Sequence, residues 1–441
     1  MQLASLPTAE AASTPATASR HRRIGTALAC AAAGLLGSGC TMLERVTPGP
    51  EWKTDAAVLA YSEADRVSVL EAAVSATRET EAGSRFALKG VFDSLTGASA
   101  TGAVPSTRPQ TFTRPSGNGS YTVKPGEVPL DDTFKDTRVA LSADWEADVR
   151  RGLRYGLGLN VSSEYDYRSV GLSGRLLKDL NERNTTLSAA LSIANDSINP
   201  VGGVPTGLSR MDAGDRGLRA SSDTKSVVDL LLGATQLIDD RSFFQVNYGL
   251  TRSSGYHTDP YKYVSLVDAN GEPFEAGGAI PSVIHEQRPD ARTRHAFFAR
   301  YKRRLRSESI VDLSYRFTVD DWGIDTHAIE GKYRFALGGD NNYLQPRLRL
   351  DRQSAADFYR GFLRQGEALP STVSADYRLA AMTTITVGLE YGWGRPASPW
   401  RIAFDYYMQR PSEPDGKFGQ LLSQRLAPNV NAVMFRLNKT F

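Results

Sequence analysis

The sequence predicts an all-β protein, a transmembrane antiparallel up-and-down β-barrel of about sixteen strands. Three observations predict it. Segments of about ten residues alternate apolar and polar side chains with period two, the length a tilted strand needs to cross a bilayer. Aromatic residues sit at the ends of the apolar faces, where a membrane interface holds them. Connections between the segments are either short turns or long loops, and the two kinds fall on opposite sides, as in bacterial barrels.

In order, the segments run at 53–62, 67–79, 84–95, 137–149, 153–167, 170–181, 184–196, 225–238, 242–254, 292–305, 309–320, 324–337, 342–353, 383–394, 400–410 and 429–441. LRYGLGLNVSSEYDY sets Leu153, Tyr155, Leu157, Leu159 and Val161 against Arg154, Gly156, Gly158, Asn160 and Glu164. SIVDLSYRF sets Val311, Leu313, Tyr315 and Phe317 against Asp312, Ser314 and Arg316. TTITVGLEYGW puts Ile385, Val387, Leu389, Tyr391 and Trp393 on one face and Thr384, Thr386, Gly388, Glu390 and Gly392 on the other. WRIAFDYYMQR sets Trp400, Ile402, Phe404, Tyr406 and Met408 against Arg401, Ala403, Asp405, Tyr407 and Gln409. The last segment, NVNAVMFRLNKTF, carries Val433, Phe435, Leu437 and Phe441 on one face. A soluble sandwich alternates too, but its strands average five or six residues. In hydrocarbon an open sheet edge leaves backbone groups unpaired, so these strands must close into a ring.

Short connections lie at 80–84, 181–184, 239–242, 306–309 and 394–399, and long ones at 96–136, 197–224, 255–291, 354–382 and 411–428. With both termini in the periplasm, every long connection is external and the last strand closes against the first. Segment 96–136, rich in Gly, Pro, Ser and Thr, predicts an irregular loop; a mobile external loop is the default, and folding inward to narrow the pore is the alternative.

Residues 1–39 read as an export signal. Arg20, His21, Arg22 and Arg23 precede the apolar run IGTALACAAAGLLGSG, which is too short to span a bilayer. Residues 40–52 form a periplasmic segment and 53–441 the barrel. The two cysteines, Cys30 and Cys40, both lie near this signal, so no internal disulfide framework is expected. LLGSGC resembles a bacterial lipobox with Gly37 in place of the usual leucine, and lipidation at Cys40 stands beside ordinary cleavage nearby. Net charge is +3 without a basic block, which argues against nucleic-acid binding.

Charged residues on the polar faces are the candidate lumen-facing groups: Arg154, Glu164, Asp312, Arg316, Glu390, Arg401 and Asp405, accompanied by Asp229, Glu330, Arg334, Arg347 and Arg349. Such groups select a polar solute by sign or pair into a structural network, and the two readings remain open. No P-loop, G-x-S-x-G elbow, H-E-x-x-H motif or cysteine pair occurs, so no catalytic, cofactor-binding or metal role is assigned. His257 with Asp259, His285 with Glu286, and Asp320, Asp321, Asp325 and His327 sit in loops or at strand ends and keep a barrel hydrolase as a minor alternative. DDWGID and DANGE lack EF-hand spacing and predict turns.

DSLTGAS at 93–99, DDTFKDTRVALS at 131–142, RNTTLS at 183–188, DPYKYVSLVDA at 259–269, RPDART at 288–293, DDWGID at 320–325 and YLQPRLRLDRQSAADFYR at 343–360 resemble the bacterial proteins of domain-of-unknown-function family 3570. The resemblance implies an outer-membrane barrel without an established cargo. The terminal aromatic strand is similar to those recognised by the bacterial outer-membrane assembly machinery, although Lys439 stands where a second aromatic is common. GCTMLERVTPGP resembles the small lipoproteins of domain-of-unknown-function family 4266, which implies by analogy a link to envelope redox chemistry. The expectation is a Gram-negative outer-membrane channel for small polar solutes, with outer-membrane lipid, lipopolysaccharide and the assembly machinery as partners. A plugged scaffolding barrel of an envelope complex, possible envelope partner proteins and an unassigned oligomeric state complete the expectation.

Overall fold

A computed structural model describes residues 52–441 except 65, 81–82, 115–118, 212–217, 276–277, 279, 307 and 339–340. The export signal, Cys40 and the segment that follows it up to residue 51 lie outside the described residues. Sixteen strands form a closed antiparallel barrel. They are β1 Lys53–Glu63, β2 Val67–Glu79, β3 Arg85–Ala100, β4 Leu130–Arg150, β5 Leu153–Ser163, β6 Tyr167–Leu180, β7 Thr185–Ile198 and β8 Asp223–Asp239, followed by β9 Ser242–Gly255, β10 Ala291–Arg304, β11 Ile310–Asp320, β12 Asp325–Ala336, β13 Tyr343–Gln353, β14 Met382–Arg395, β15 Ser398–Pro411 and β16 Val430–Thr440.

Each strand pairs with its sequence neighbour, and β1 pairs with β16 through Val58↔Leu437 and Ala60↔Phe435. The ring therefore has no edge, and every strand can satisfy its ladder in a medium that offers no hydrogen bonds. Alternation sets the faces as the sequence predicts. On β14, Val387 and Leu389 are 51% and 46% exposed on the outer face, while Thr384 and Thr386 point inward and are buried. Aromatic pairs mark the rim on the side of the termini: Trp393 stacks on Trp400 at 6.1 Å, and Trp145 meets Tyr155 edge-on at 5.2 Å.

Two strands are longer than the periodicity predicts. β3 and β4 continue past the membrane belt as a paired arm, Ser99↔Asp131, beyond an irregularity between Gly97 and Ser99. At Gly97, φ is +135° and a side chain would collide with the Arg66 carbonyl, so the bend requires glycine. Conversely, β5 stops at Ser163 rather than 167, because SSEYDY keeps its alternation through a turn in which Tyr165 is 82% exposed.

The long connections all leave one end of the barrel and fold together there as a cap. Tyr263–Val267 is wholly buried and pairs with Val283–His285 and, in parallel, with Leu363–Arg364. Segment 96–136 takes part in this packing: Phe112 is fully buried, stacks on Tyr121 at 5.5 Å, and packs with Ala103, Val123, Met211, Tyr263 and Val283. The default expectation of a mobile external loop is thus corrected, because the apolar residues spaced between its prolines and glycines bury against the other loops.

Candidate functional site: the lumen and its cap

The predicted luminal charges lie on the inner wall and are held by neighbours two or three strands wide. Arg154 reaches Glu146 at 3.3 Å and Asp179 at 3.4 Å. Asp312 accepts from Arg300 Nε at 2.8 Å, with Lys302 at 3.8 Å. The Arg316 guanidinium lies 5.5 Å from the centre of the Phe298 ring. Glu390 accepts from the Tyr343 hydroxyl at 2.7 Å, and Arg401 donates to Thr440 at 3.3 Å. Asp405 sits between Arg347 at 3.5 Å and Arg436 at 3.2 Å. Glu164 lies past the end of β5, where it comes within 4.8 Å of Asp136 and Asp166, the one group of three such carboxylates among the described residues. Tyr261 donates to Asp166 there at 2.9 Å. The companions named from the sequence are on the same wall: Arg347 meets Glu330 at 2.7 Å, Arg349 meets Asp351 at 2.6 Å, and Thr251 donates to Asp229 at 2.6 Å.

Several wall charges escaped the sequence reading. Arg175 joins Asp144 at 2.9 Å and Glu146 at 3.1 Å, and Lys225 joins Asp196 at 3.6 Å. Arg175 sits in GRLLKDL, where Leu177 faces inward beside Leu176 facing outward, so apolar residues occupy both faces and hide the period. Glycine makes room for these side chains: a Cβ on Gly156 would stand 2.6 Å from Arg175 Nε.

At the loop end, the cap crosses the mouth. Lys262 belongs to the β9–β10 loop, yet its ammonium donates to Ser99 Oγ of β3 at 3.0 Å and to the Ala100 carbonyl. Six strands separate β9 from β3 around the ring. The β13–β14 loop supplies Tyr377, whose hydroxyl accepts from Arg66 in the β1–β2 turn at 3.0 Å. Gln420 of the β15–β16 loop donates to the carbonyls of Pro105 and Gly271, at 3.0 and 2.7 Å.

The loops are locked by a buried charge knot. Asp376 accepts from Arg288 at 2.9 Å and from Arg378 Nε at 2.7 Å, and Arg378 also reaches Asp259 at 3.0 Å. Glu286 accepts from Arg288 at 2.6 Å and from the Asp259 amide at 2.7 Å. Burial alone would raise the Asp376 carboxyl, but Arg378, Arg288 and Lys262 outweigh it and hold the group below the usual carboxylate range. Burial, aided by Arg378, lowers the Lys262 ammonium to about 8.

The residues considered for rim catalysis do not converge. His257 is buried by the cap, with Nε2 2.7 Å from Ser253 Oγ and Nδ1 2.8 Å from the Gly255 carbonyl, and burial lowers it to about 4. Asp259 and Glu286 are bound into the knot, and His285 packs against Tyr263 at 5.1 Å. His327 stands on the outer face of the barrel, bonded to Tyr315. Asp320 accepts from the amides of Trp322 and Ile324, at 3.0 and 3.1 Å, and Asp268 from those of Asn270 and Glu272, at 2.8 and 2.9 Å, so both DDWGID and DANGE form turns as expected.

Inward residues follow a gradient. Near the loops Tyr61, Leu95, Lys225, Gln409 and Val430 are at most 2% exposed. Toward the termini Thr77, Ala87, Thr186, Thr235, Ser314 and Asn438 are half-buried. The lumen is filled at the loop end and accessible from the terminal end.

A closed sixteen-strand ring with an apolar outer belt, a charged inner wall and a folded loop cap defines a β-barrel of the outer-membrane type. The chain belongs to the family described as "Protein of unknown function (DUF3570)", whose model matches residues 25–441. No curated protein matches it. Among solved structures it is similar to the siderophore receptor PirA from Pseudomonas aeruginosa, with a TM-score of 0.42 and 10% identity over 89% of this chain and 62% of the receptor. A mutant ferric enterobactin receptor (PfeA) from the same organism gives 0.40 and 11%, over 82% and 54%. A bacterial polysaccharide outer membrane secretin gives 0.41 and 9%, over 88% and 98%. The chain thus spans little more than half the length of the receptors.

Proposed function

We propose that this protein is a gated channel for a small polar solute in the bacterial outer membrane, closed in the state described, with its termini in the periplasm and its cap outside. The observation that carries the proposal is the combination of a lumen accessible from the terminal end and a cap tied across the other end by Lys262 and Ser99. The inner wall supports passage of a polar solute, because charges of both signs and hydroxyls line it where it is accessible. No catalytic step is assigned to it.

Pairing of the luminal charges favours a second reading, in which the barrel is a plugged scaffold for an envelope complex, reached through the N-terminal segment or the loops. The lipoprotein-like segment GCTMLERVTPGP, with Cys40 as its candidate acylation site, belongs to that reading and to its suggested redox link.

Single-channel recording in planar bilayers separates the two. The gated channel gives little current as purified and stable, ion-selective steps once Lys262→Met and Asp376→Asn loosen the cap. Folded, inserted protein that stays silent in both forms is a plugged barrel.

A further inference from the structure

The outer face carries an arrangement that neither the cap nor the lumen uses. Around most of the loop-side rim the outward residues are hydroxyls and amides, such as Ser62, Ser68, Ser197, Thr224 and Asn431. Between β9 and β13 they change character. Arg252 on β9 and Arg352 on β13 are exposed and outward, and neither has an ion-pair partner among the described residues.

Beside each arginine stands an imidazole, and the two imidazoles are held in the same way. His295 on β10 faces Leu250 in register and bonds through Nδ1 to the hydroxyl of Tyr248, one alternate position along β9, at 2.8 Å. His327 on β12 faces Phe317 and bonds through Nδ1 to Tyr315, one alternate position along β11, at 2.7 Å. In both, the phenol occupies one ring nitrogen and leaves Nε2 for another partner. His327 lies directly opposite Arg352, and His295 one alternate position below Thr293, which is opposite Arg252.

Polar imidazoles within an apolar belt carry a cost in lipid that a hydrogen-bonding partner at that depth offsets. Immediately on the membrane side the surface is apolar and rich in rings. Phe297 stacks on Phe317 at 6.3 Å, Phe317 packs against His327 at 4.9 Å, and Ile329 and Leu350 are 58% and 44% exposed. Asp325, the carboxylate in this sector, stands one alternate position beyond His327 on the loop side, so an anion beside Arg352 lies on its membrane side.

We infer that this sector is a binding site for a membrane glycolipid whose headgroup carries two phosphates. Arg252 with His295 holds one phosphate and Arg352 with His327 the other, while the aromatic floor receives the acyl chains. The imidazoles are two strands apart, about 10 Å. Two separated basic pairs fit two phosphates better than one. Guanidinium and imidazole supply charge-assisted donors to phosphate oxygens at the edge of the hydrocarbon, where such bonds are strong. The site acts whether or not the lumen conducts, since it lies on the opposite face of the sheet.

The test uses the full chain in detergent micelles, with bound lipid counted by native mass spectrometry. Bis-phosphorylated lipid A is the probe. The double variant Arg252→Ser and Arg352→Ser, which restores the hydroxyls found elsewhere on the rim, is expected to weaken binding about tenfold or more. Arg168→Ser, at the same level on β6, leaves it unchanged. Dephosphorylated lipid A binds as weakly to wild type as the probe does to the double variant, and inorganic phosphate does not displace the probe. Equal binding by wild type and the folded double variant, or by phosphorylated and dephosphorylated lipid, overturns the site. Displacement by inorganic phosphate overturns its assignment to a lipid.

Discussion

Arg288 Nη2 donates to Asp376 Oδ2 at 2.9 Å, joining the β9–β10 loop to the β13–β14 loop inside the cap. Asp376 is 1% exposed, so its charge is set by the arginines around it rather than by water.

Neutralising that carboxylate leaves Arg288 and Arg378 buried with less compensation. Asp376→Asn is expected to destabilise the cap by about 3–5 kcal/mol, the range for breaking a buried pair on one side. The barrel ladder is untouched, so limited proteolysis should cut within 354–381 while the barrel stays intact. Cleavage no faster than in wild type would contradict the lock.

Acidification should loosen the same region through His257. Its folded value, about 4, lies below the ordinary 6.5, so between these values the unfolded loop binds more protons than the folded one. Stability is therefore complete above pH 6.5 and falls as pH drops toward 4, by at most about 3 kcal/mol. Hydrogen exchange of the β9–β10 loop should accelerate across that window, and His257→Gln should flatten the dependence.

A methyl group on the inner wall is a test of how tightly the charges are seated. A Cβ at Gly388 would overlap Asp405 Oδ1, which pairs with Arg347 and Arg436. Gly388→Ala should cost about 1–3 kcal/mol, read as a lower unfolding temperature in detergent. Gly174→Ala is the control, since its Cβ would meet only Leu157 at 4.0 Å.

Outside the wall the rule inverts. Phe435 is 41% exposed at mid-strand on the outer face of β16. Phe435→Arg should destabilise the inserted barrel by about 2–4 kcal/mol, although Arg436 beside it is native and points inward. Equal stability of the variant in lipid would place this face away from hydrocarbon.

The ring was legible because a two-residue period is a local property. Val387 against Thr386, or Phe435 against Arg436, states which side meets oil without reference to any other strand. The pairings were not legible, since which guanidinium meets which carboxylate depends on register between strands. Arg175 and Glu146 lie in different strands, β6 and β4, with β5 between them, and only the fold brings them within 3.1 Å. The cap was least legible of all: Phe112 and Tyr263 stack at 6.4 Å across loops with no shared period, so composition alone suggested mobility. His327 was placed with the loop acids by proximity in sequence, whereas strand parity turns it outward.

The seam between β1 and β16 joins the two barrel strands most distant along the chain. Until that last ladder forms, the other fifteen junctions make a curved sheet with two raw edges, an arrangement hydrocarbon does not tolerate and a neighbouring chain can poach. Such a topology has high contact order, so spontaneous closure is slow. The Arg66–Tyr377 contact links positions 311 residues apart and can be made only once both hairpins stand on one ring. The order of events is thereby written into the connectivity: a chaperoned half-open sheet, then the seam, then the cap.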